Sequence, residues 1–135
     1  MPNVKAYFGE IKGKKIALWG LAFKPNTDDI REAPARYIIQ SLLADGASIS
    51  VYDPEAMENI KNVIGDKVHY ATNMYDALAG VDALIIVTEW AAFRNPNFDK
   101  MAEVMREKVI FDGRNVYDLE QMKNLGFYYA SIGRP

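Results

Sequence analysis

Lys15-Ile-Ala-Leu-Trp-Gly20, a long loop to Pro34, a helical pattern over residues 34–43 and the alternating run Ser48-Ile-Ser-Val-Tyr52 together decide the fold. The first run is short, apolar and closed by glycine, as expected of a strand covered on both faces. Proline at position 34 suits a first helical turn, where its missing N–H costs nothing. Tyr37, Ile38, Ser41 and Leu42 fall on one helical face, and Gly46 is placed to end that helix. Strand, helix and strand in this order make a βαβ unit, which pairs its strands in parallel.

The same alternation continues along the chain. Asp53-Pro54 opens a helix through about residue 60. Val68-His-Tyr-Ala71 is a weak third strand, followed by a short helix over residues 73–78. Ala83-Leu-Ile-Ile-Val87 is the strongest strand signal, with Gly80-Val-Asp82 as the turn before it. Residues 98–107 are helical in pattern, and Lys108-Val-Ile-Phe111 is a fifth strand. Residues 118–124 form a short helix that stops at Gly126, and Phe127-Tyr-Tyr-Ala130 is a sixth strand. The expected fold is α/β: a doubly wound, mainly parallel six-stranded Rossmann-like sheet, helices on both faces, strand order 3-2-1-4-5-6.

Composition narrows the chemistry. The chain has 135 residues, half of them hydrophobic and a quarter charged, enough for one domain with a true core. It has no cysteine, which removes thiolate nucleophiles, cysteine-ligated zinc and iron–sulfur sites. That also suits a reducing compartment. A single histidine, His69, argues against a histidine-rich metal site or a Ser-His-Asp triad, and no metal site is expected. The formal net charge of -2 argues against a nucleic-acid partner. No apolar run approaches the ~20 residues of a membrane span, and no signal-peptide core is evident, so a cytoplasmic protein without membrane association is expected.

The first residues carry a different pattern. Val4, Tyr7, Phe8 and Ile11 fall at i, i+3, i+4 and i+7, an amphipathic stripe. The stripe either folds back on this domain or belongs to a helix that runs into another one.

In open α/β sheets, ligands bind beyond the carboxyl ends of the strands, where the strand order reverses. Here that point lies between strands one and four. After strand one comes Gly20-Leu-Ala-Phe-Lys-Pro-Asn-Thr-Asp-Asp-Ile-Arg-Glu-Ala-Pro34, after strand four Thr88-Glu-Trp-Ala-Ala-Phe93, and after strand five Asp112-Gly-Arg-Asn115. The first loop is no dinucleotide fingerprint, because Gly20 is followed by Leu21, Ala22, Phe23 and Lys24 instead of further glycines. Its length and its charge still point to a ligand, since βα loops are usually short. Lys24 is a point charge suited to phosphate, Phe23 offers a face to a ring, and Arg31 can fork onto phosphate or carboxylate.

Other residues at this rim have bland readings as well. Asp28 and Asp29 cap the coming helix and pair with Arg31. Glu89 and Trp90 can line the crevice, although a tryptophan after a buried strand is more often core. Arg114 is either an anion ligand at a strand end or a surface arginine paired with Asp112. Asp53 closes strand two, where dinucleotide folds keep a ribose-reading acid, but without the glycines it reads mainly as a helix start. His69 reads as an ordinary surface or half-buried residue, and the methionines as core filler.

The run from Gly20 to Pro34 resembles the opening signature of the C-terminal, UDP-binding domain of the UDP-glucose 6-dehydrogenases, within the UDP-glucose/GDP-mannose dehydrogenase family. Tyr52-Asp53-Pro54, Thr88-Glu89-Trp90 and Asp112-Gly113-Arg114-Asn115 are similar to that domain's later motifs, in the same order, so the resemblance covers essentially the whole chain. It implies residues 1–12 as a helical stub from a preceding interdomain region and residues 13–135 as the UDP-sugar-binding domain. The family oxidises the C6 alcohol of a nucleotide sugar to a carboxylate with two NAD, through a thiol-bound intermediate, in a cleft between two nucleotide folds. The resemblance then implies that Phe23 and Lys24 contact UDP-glucose or UDP. It implies that Arg31 reaches across the cleft to NAD, and that Arg114 grips the sugar nucleotide, in the family from the neighbouring subunit. Implied partners are an N-terminal NAD-binding domain, which holds most of the cofactor, and a second copy in a homodimer. These 135 residues hold neither the glycine-rich fingerprint nor a cysteine, so by themselves they are expected to bind and not to catalyse. The same domain of a UDP-N-acetylmannosamine or GDP-mannose dehydrogenase is the near alternative, and a stand-alone nucleotide-binding module the distant one.

Overall fold

A computed structural model describes residues 7–22, 34–88, 90–114 and 116–131 of the chain. The expected ligand residues Phe23, Lys24 and Arg31, together with Val4, Asp28, Asp29, Glu32, Glu89 and Asn115, lie outside the described residues. Six strands pair in parallel throughout: β1 (Lys15–Trp19), β2 (Ser48–Tyr52), β3 (His69–Tyr70), β4 (Ala83–Ile86), β5 (Val109–Asp112) and β6 (Tyr128–Ser131). Their order is β3-β2-β1-β4-β5-β6, the arrangement expected from the sequence.

The sheet is sandwiched as its apolar strands require. Every residue of β4 and β5 is buried, and in β1 only the first residue, Lys15, is exposed. Such strands carry apolar side chains on both sides and need cover on both. One face is covered by helices α1 (Pro34–Ala44) and α2 (Met57–Ile64), through Ala35, Ile39, Leu42, Ile60 and Ile64. The core on that side also takes in Ile11, with Phe8 packed against it. Tyr7 adds a ring contact to Tyr128, centroids 4.2 Å apart. The other face is covered by α3 (Ala91–Arg94), α4 (Phe98–Val104) and α5 (Leu119–Asn124), through Phe93, Met101 and Met122.

Glycine closes two of these helices in the same way. Gly46 and Gly126 sit at φ 90° and 83°. Gly46 N–H donates to Leu43 O and Ala47 N–H to Leu42 O; Gly126 N–H donates to Lys123 O and Phe127 N–H to Met122 O. This pair of bonds is the Schellman stop, which needs a left-handed residue and so selects glycine. It returns the chain directly into β2 and β6.

Local readings fail where packing overrides pattern. The buried face of α1 is Ala35, Ile39 and Leu42, while Tyr37 stands 64% exposed and Ser41 faces solvent. Leu42 is buried and Ile38 packs against the core as expected, but the face is shifted from the expected one, because small Ala35 faces the sheet and large Tyr37 does not. Asp53-Pro54 opens a turn, and the helix itself begins only at Met57. Residues 73–78 yield a single 3-10 turn, Asp76–Leu78, with Asn73 Oδ1 accepting from the N–H groups of Tyr75 and Asp76. The helix expected over residues 98–107 stops at Val104, and α3 was read only as loop.

Candidate functional site

The strand order reverses between β1 and β4, so the loops after β1, β2, β4 and β5 share one rim. Gly20 makes this rim possible. At φ 97°, a Cβ on residue 20 would lie 2.5 Å from Thr88 Cβ and 2.6 Å from Thr88 N. The close approach lets Thr88 Oγ1 donate to Ala22 O at 2.6 Å, which ties the β1 exit to the β4 exit.

Asp53 joins the same two exits to a third. Its side chain is 1% exposed. Oδ2 accepts from Leu21 N at 2.6 Å, Ala22 N at 3.3 Å and Trp90 Nε1 at 3.2 Å. Oδ1 accepts from Glu55 N and Ala56 N, both at 2.8 Å. Asp53 therefore starts the turn ahead of α2 and not the helix itself, and its carboxylate also fastens the residues just before Phe23 and Lys24. Trp90 is 8% exposed, core in character, and spends its indole N–H on that carboxylate.

A second buried carboxylate mounts Arg114. Asp112 is 0% exposed at the end of β5. It accepts from Arg114 N at 2.7 Å, Val116 N at 2.7 Å and the Tyr129 hydroxyl at 2.5 Å. These bonds hold the main chain of residue 114 in a tight turn and leave its side chain exposed on the rim. Tyr129 Oη is also within 3.3 Å of Tyr117 N and Tyr117 O. Tyr117 in turn donates from its hydroxyl to Phe93 O at 2.6 Å, which joins α3 to the network. Neither tyrosine was singled out from sequence. For Tyr129 the signal was a polar-tipped aromatic in an otherwise apolar strand, and Tyr117, in the connection before α5, offered none.

Burial pushes the Tyr117 phenol well above its ordinary value, and Asp112, Tyr129 and Tyr75 add to the shift. The folded state thus keeps this proton where the unfolded chain loses it. The resulting stability is fully present below pH 10.0 and is lost as pH rises above it. Tyr117→Phe is expected to cost about 1 kcal/mol at pH 8 by losing the bond to Phe93. By pH 11 the parent loses about 1.4 kcal/mol that the variant keeps, so urea unfolding at the two pH values should show the gap close. A gap that stays constant would contradict the shift.

His69 lies away from this rim, its side chain 62% exposed and Nε2 3.5 Å from Asp76 Oδ2. Of the methionines, Met101, Met105 and Met122 are core. Among the described residues, no three His, Cys, Asp or Glu side chains cluster to hold a metal, and no helix is long and apolar enough to cross a membrane.

Residues 17–119 match the UDP-glucose/GDP-mannose dehydrogenase family, UDP binding domain. The chain belongs to this family. Within it, the chain is 46% identical over 132 residues to a UDP-glucose 6-dehydrogenase of Rhizobium meliloti, covering 98% of this chain and 30% of that protein. It superposes with TM-score 0.80 and 33% identity on a UDP-glucose dehydrogenase from Pyrobaculum islandicum, over 96% of this chain and 27% of that one. A UDP-D-ManNAc dehydrogenase from Pyrococcus horikoshii follows at TM-score 0.75 and 29% identity, over 97% of this chain and 28% of that one. The 135 residues thus span under a third of the length of these dehydrogenases, as one UDP-binding domain of the family.

Proposed function

We propose that this domain is the UDP-sugar wall of a UDP-glucose 6-dehydrogenase that oxidises UDP-glucose to UDP-glucuronate with two NAD. The observation that carries this reading is the 46% identity to the Rhizobium meliloti enzyme across nearly the whole chain. The rim supports it. Asp53 and Thr88 anchor Leu21 and Ala22, which deliver the chain to Phe23 and Lys24. Asp112 fixes the main chain of Arg114. Phe23 and Lys24 contact the nucleotide sugar, Lys24 through phosphate. Arg114 grips the same ligand, from the neighbouring subunit of a homodimer.

NAD does not fit this domain in the usual dinucleotide pose. The acid that would read its ribose, Asp53, already accepts from Leu21, Ala22, Glu55, Ala56 and Trp90. Gly20 is followed by Leu21 and Ala22, both 0% exposed, where a pyrophosphate would need open backbone. NAD is therefore assigned to an N-terminal domain, with Arg31 reaching it across the cleft. Hydride transfer and covalent catalysis belong outside these residues, and the 135-residue chain alone is inert.

Isothermal titration should detect UDP binding to this chain and none of NAD. Lys24→Ala in this chain and Arg114→Ala in the full-length homodimer should each weaken UDP about tenfold, the usual worth of a charge-assisted contact. Two variants that bind as tightly as the parent would refute the site. NADH formation by this chain from UDP-glucose and NAD would refute its inertness.

A UDP-N-acetylmannosamine dehydrogenase is the second reading, favoured by the Pyrococcus horikoshii structure. Comparing the two sugar nucleotides as substrates of the full-length enzyme separates them.

A further inference from the structure

The opposite end of the sheet carries a second concave site. The β3–β4 connection contains the single 3-10 turn Asp76–Leu78 where doubly wound folds commonly place a helix. Beside it lies a cleft of about 330 Å³, lined among others by Lys15, Ser48, Ser50, His69, Ala79 and Val81. Its size is at the lower end of the range for small-molecule sites, too small for a dinucleotide.

Strand register explains the polar lining. Lys15 of β1 pairs with Ser48 of β2, and Ser50 lies between Ala17 and His69. Lys15, Ser48 and Ser50 are thus at alternate or adjacent positions on one face, with neighbouring strands about 4.8 Å apart. Ser50 is only 9% exposed, and its hydroxyl is buried with no hydrogen-bond partner among the described residues. Such a group costs stability, so alanine would be the more stable choice for the fold alone. Lys15 has no carboxylate within ion-pair distance among the described residues. Asp76 also lines the cleft, but its carboxylate is engaged otherwise: Oδ2 accepts from Thr72 N at 2.9 Å and Thr72 Oγ1 at 3.3 Å, and faces His69 Nε2.

We propose that this cleft binds a small anion, a carboxylate or a phosphate monoester on a short carbon skeleton. The Lys15 ammonium and the Ser48 and Ser50 hydroxyls take the anionic head, and Ala79 and Val81 flank the carbon. The site is separate from the nucleotide rim, because Lys15 begins the strand that Trp19 ends. It does not depend on the function proposed above.

The test is an amide-resolved NMR titration of the ¹⁵N-labelled chain with inorganic phosphate, butyrate and, as a neutral control, glycerol. Saturable shifts at Lys15, Ser48, Ser50 and His69 are expected with one or both anions. Phosphate alone would identify a phosphate ligand, butyrate alone a carboxylate. Lys15→Ala, at an exposed position, should weaken the effective anion roughly tenfold. Ser50→Ala should also weaken it while raising the melting temperature, and Arg114→Ala should leave it unchanged. No saturation by either anion, an equal response to glycerol, or an unaltered Lys15→Ala titration would overturn the proposal.

Discussion

Asp53→Ala is expected to destabilise the domain by about 4 kcal/mol, enough to unfold a chain of ordinary stability at moderate temperature. The carboxylate serves five N–H donors, on Leu21, Ala22, Glu55, Ala56 and Trp90. A buried donor that loses its acceptor costs roughly 1–3 kcal/mol, and water entering the gap restores only part of it. Replacing the acid also removes the turn that starts the approach to α2. Asp53→Asn keeps one oxygen and should lose about half as much, because its amide group presents N–H to donors that need an acceptor. Urea unfolding followed by tryptophan fluorescence, from Trp19 and Trp90, reads both effects. A loss below about 1 kcal/mol in the alanine variant would mean that the five bonds are replaceable.

Gly20→Ala should cost about 3 kcal/mol or more. Two penalties add: the left-handed backbone at φ 97° and the overlap with Thr88. The nearest atoms include Thr88 N at 2.6 Å, which is main chain and cannot rotate away. Nor can β4 retreat, since Val87 N–H donates to Trp19 O at 2.9 Å. Thr88→Ala should therefore fail to rescue Gly20→Ala, although it shortens the side chain. A full rescue would show that the conflict is with the side chain alone. Both substitutions strike the rim, so loss of UDP binding in either is to be read beside the melting curve.

Much of this architecture was legible in the linear chain. Ala83 to Ile86 announced a doubly covered strand by its unbroken apolar run, and it is one. Gly46 and Gly126 marked helix ends because a Schellman stop needs a residue without a Cβ. Asp118 likewise caps α5, accepting from Gln121 N. These signals are local, carried within a few residues. The orientation of α1 was legible only in part, at Ile38 and Leu42. Tyr37 and Ala35 are both compatible with a helix, and only the space above the sheet decides which one faces inward. The short helix α3 also escaped, and the helix read over residues 73–78 shrank to one 3-10 turn, since elements of one turn have no period to detect.

The sequence by itself determined where the strands fall, how they are ordered, and that the chain bears the signature of a UDP-binding dehydrogenase domain. The tertiary structure alone decided what the rim carboxylates do. Asp53 meets Trp90 across 37 positions, Thr88 meets Ala22 across 66, and Asp112 meets Tyr129 across 17. Such bonds follow from neighbouring strands ending at the same rim, a condition met only once the sheet is assembled, and no local spacing encodes them. They turn an acid that could have read a ribose into the fastening of the protein's own loops.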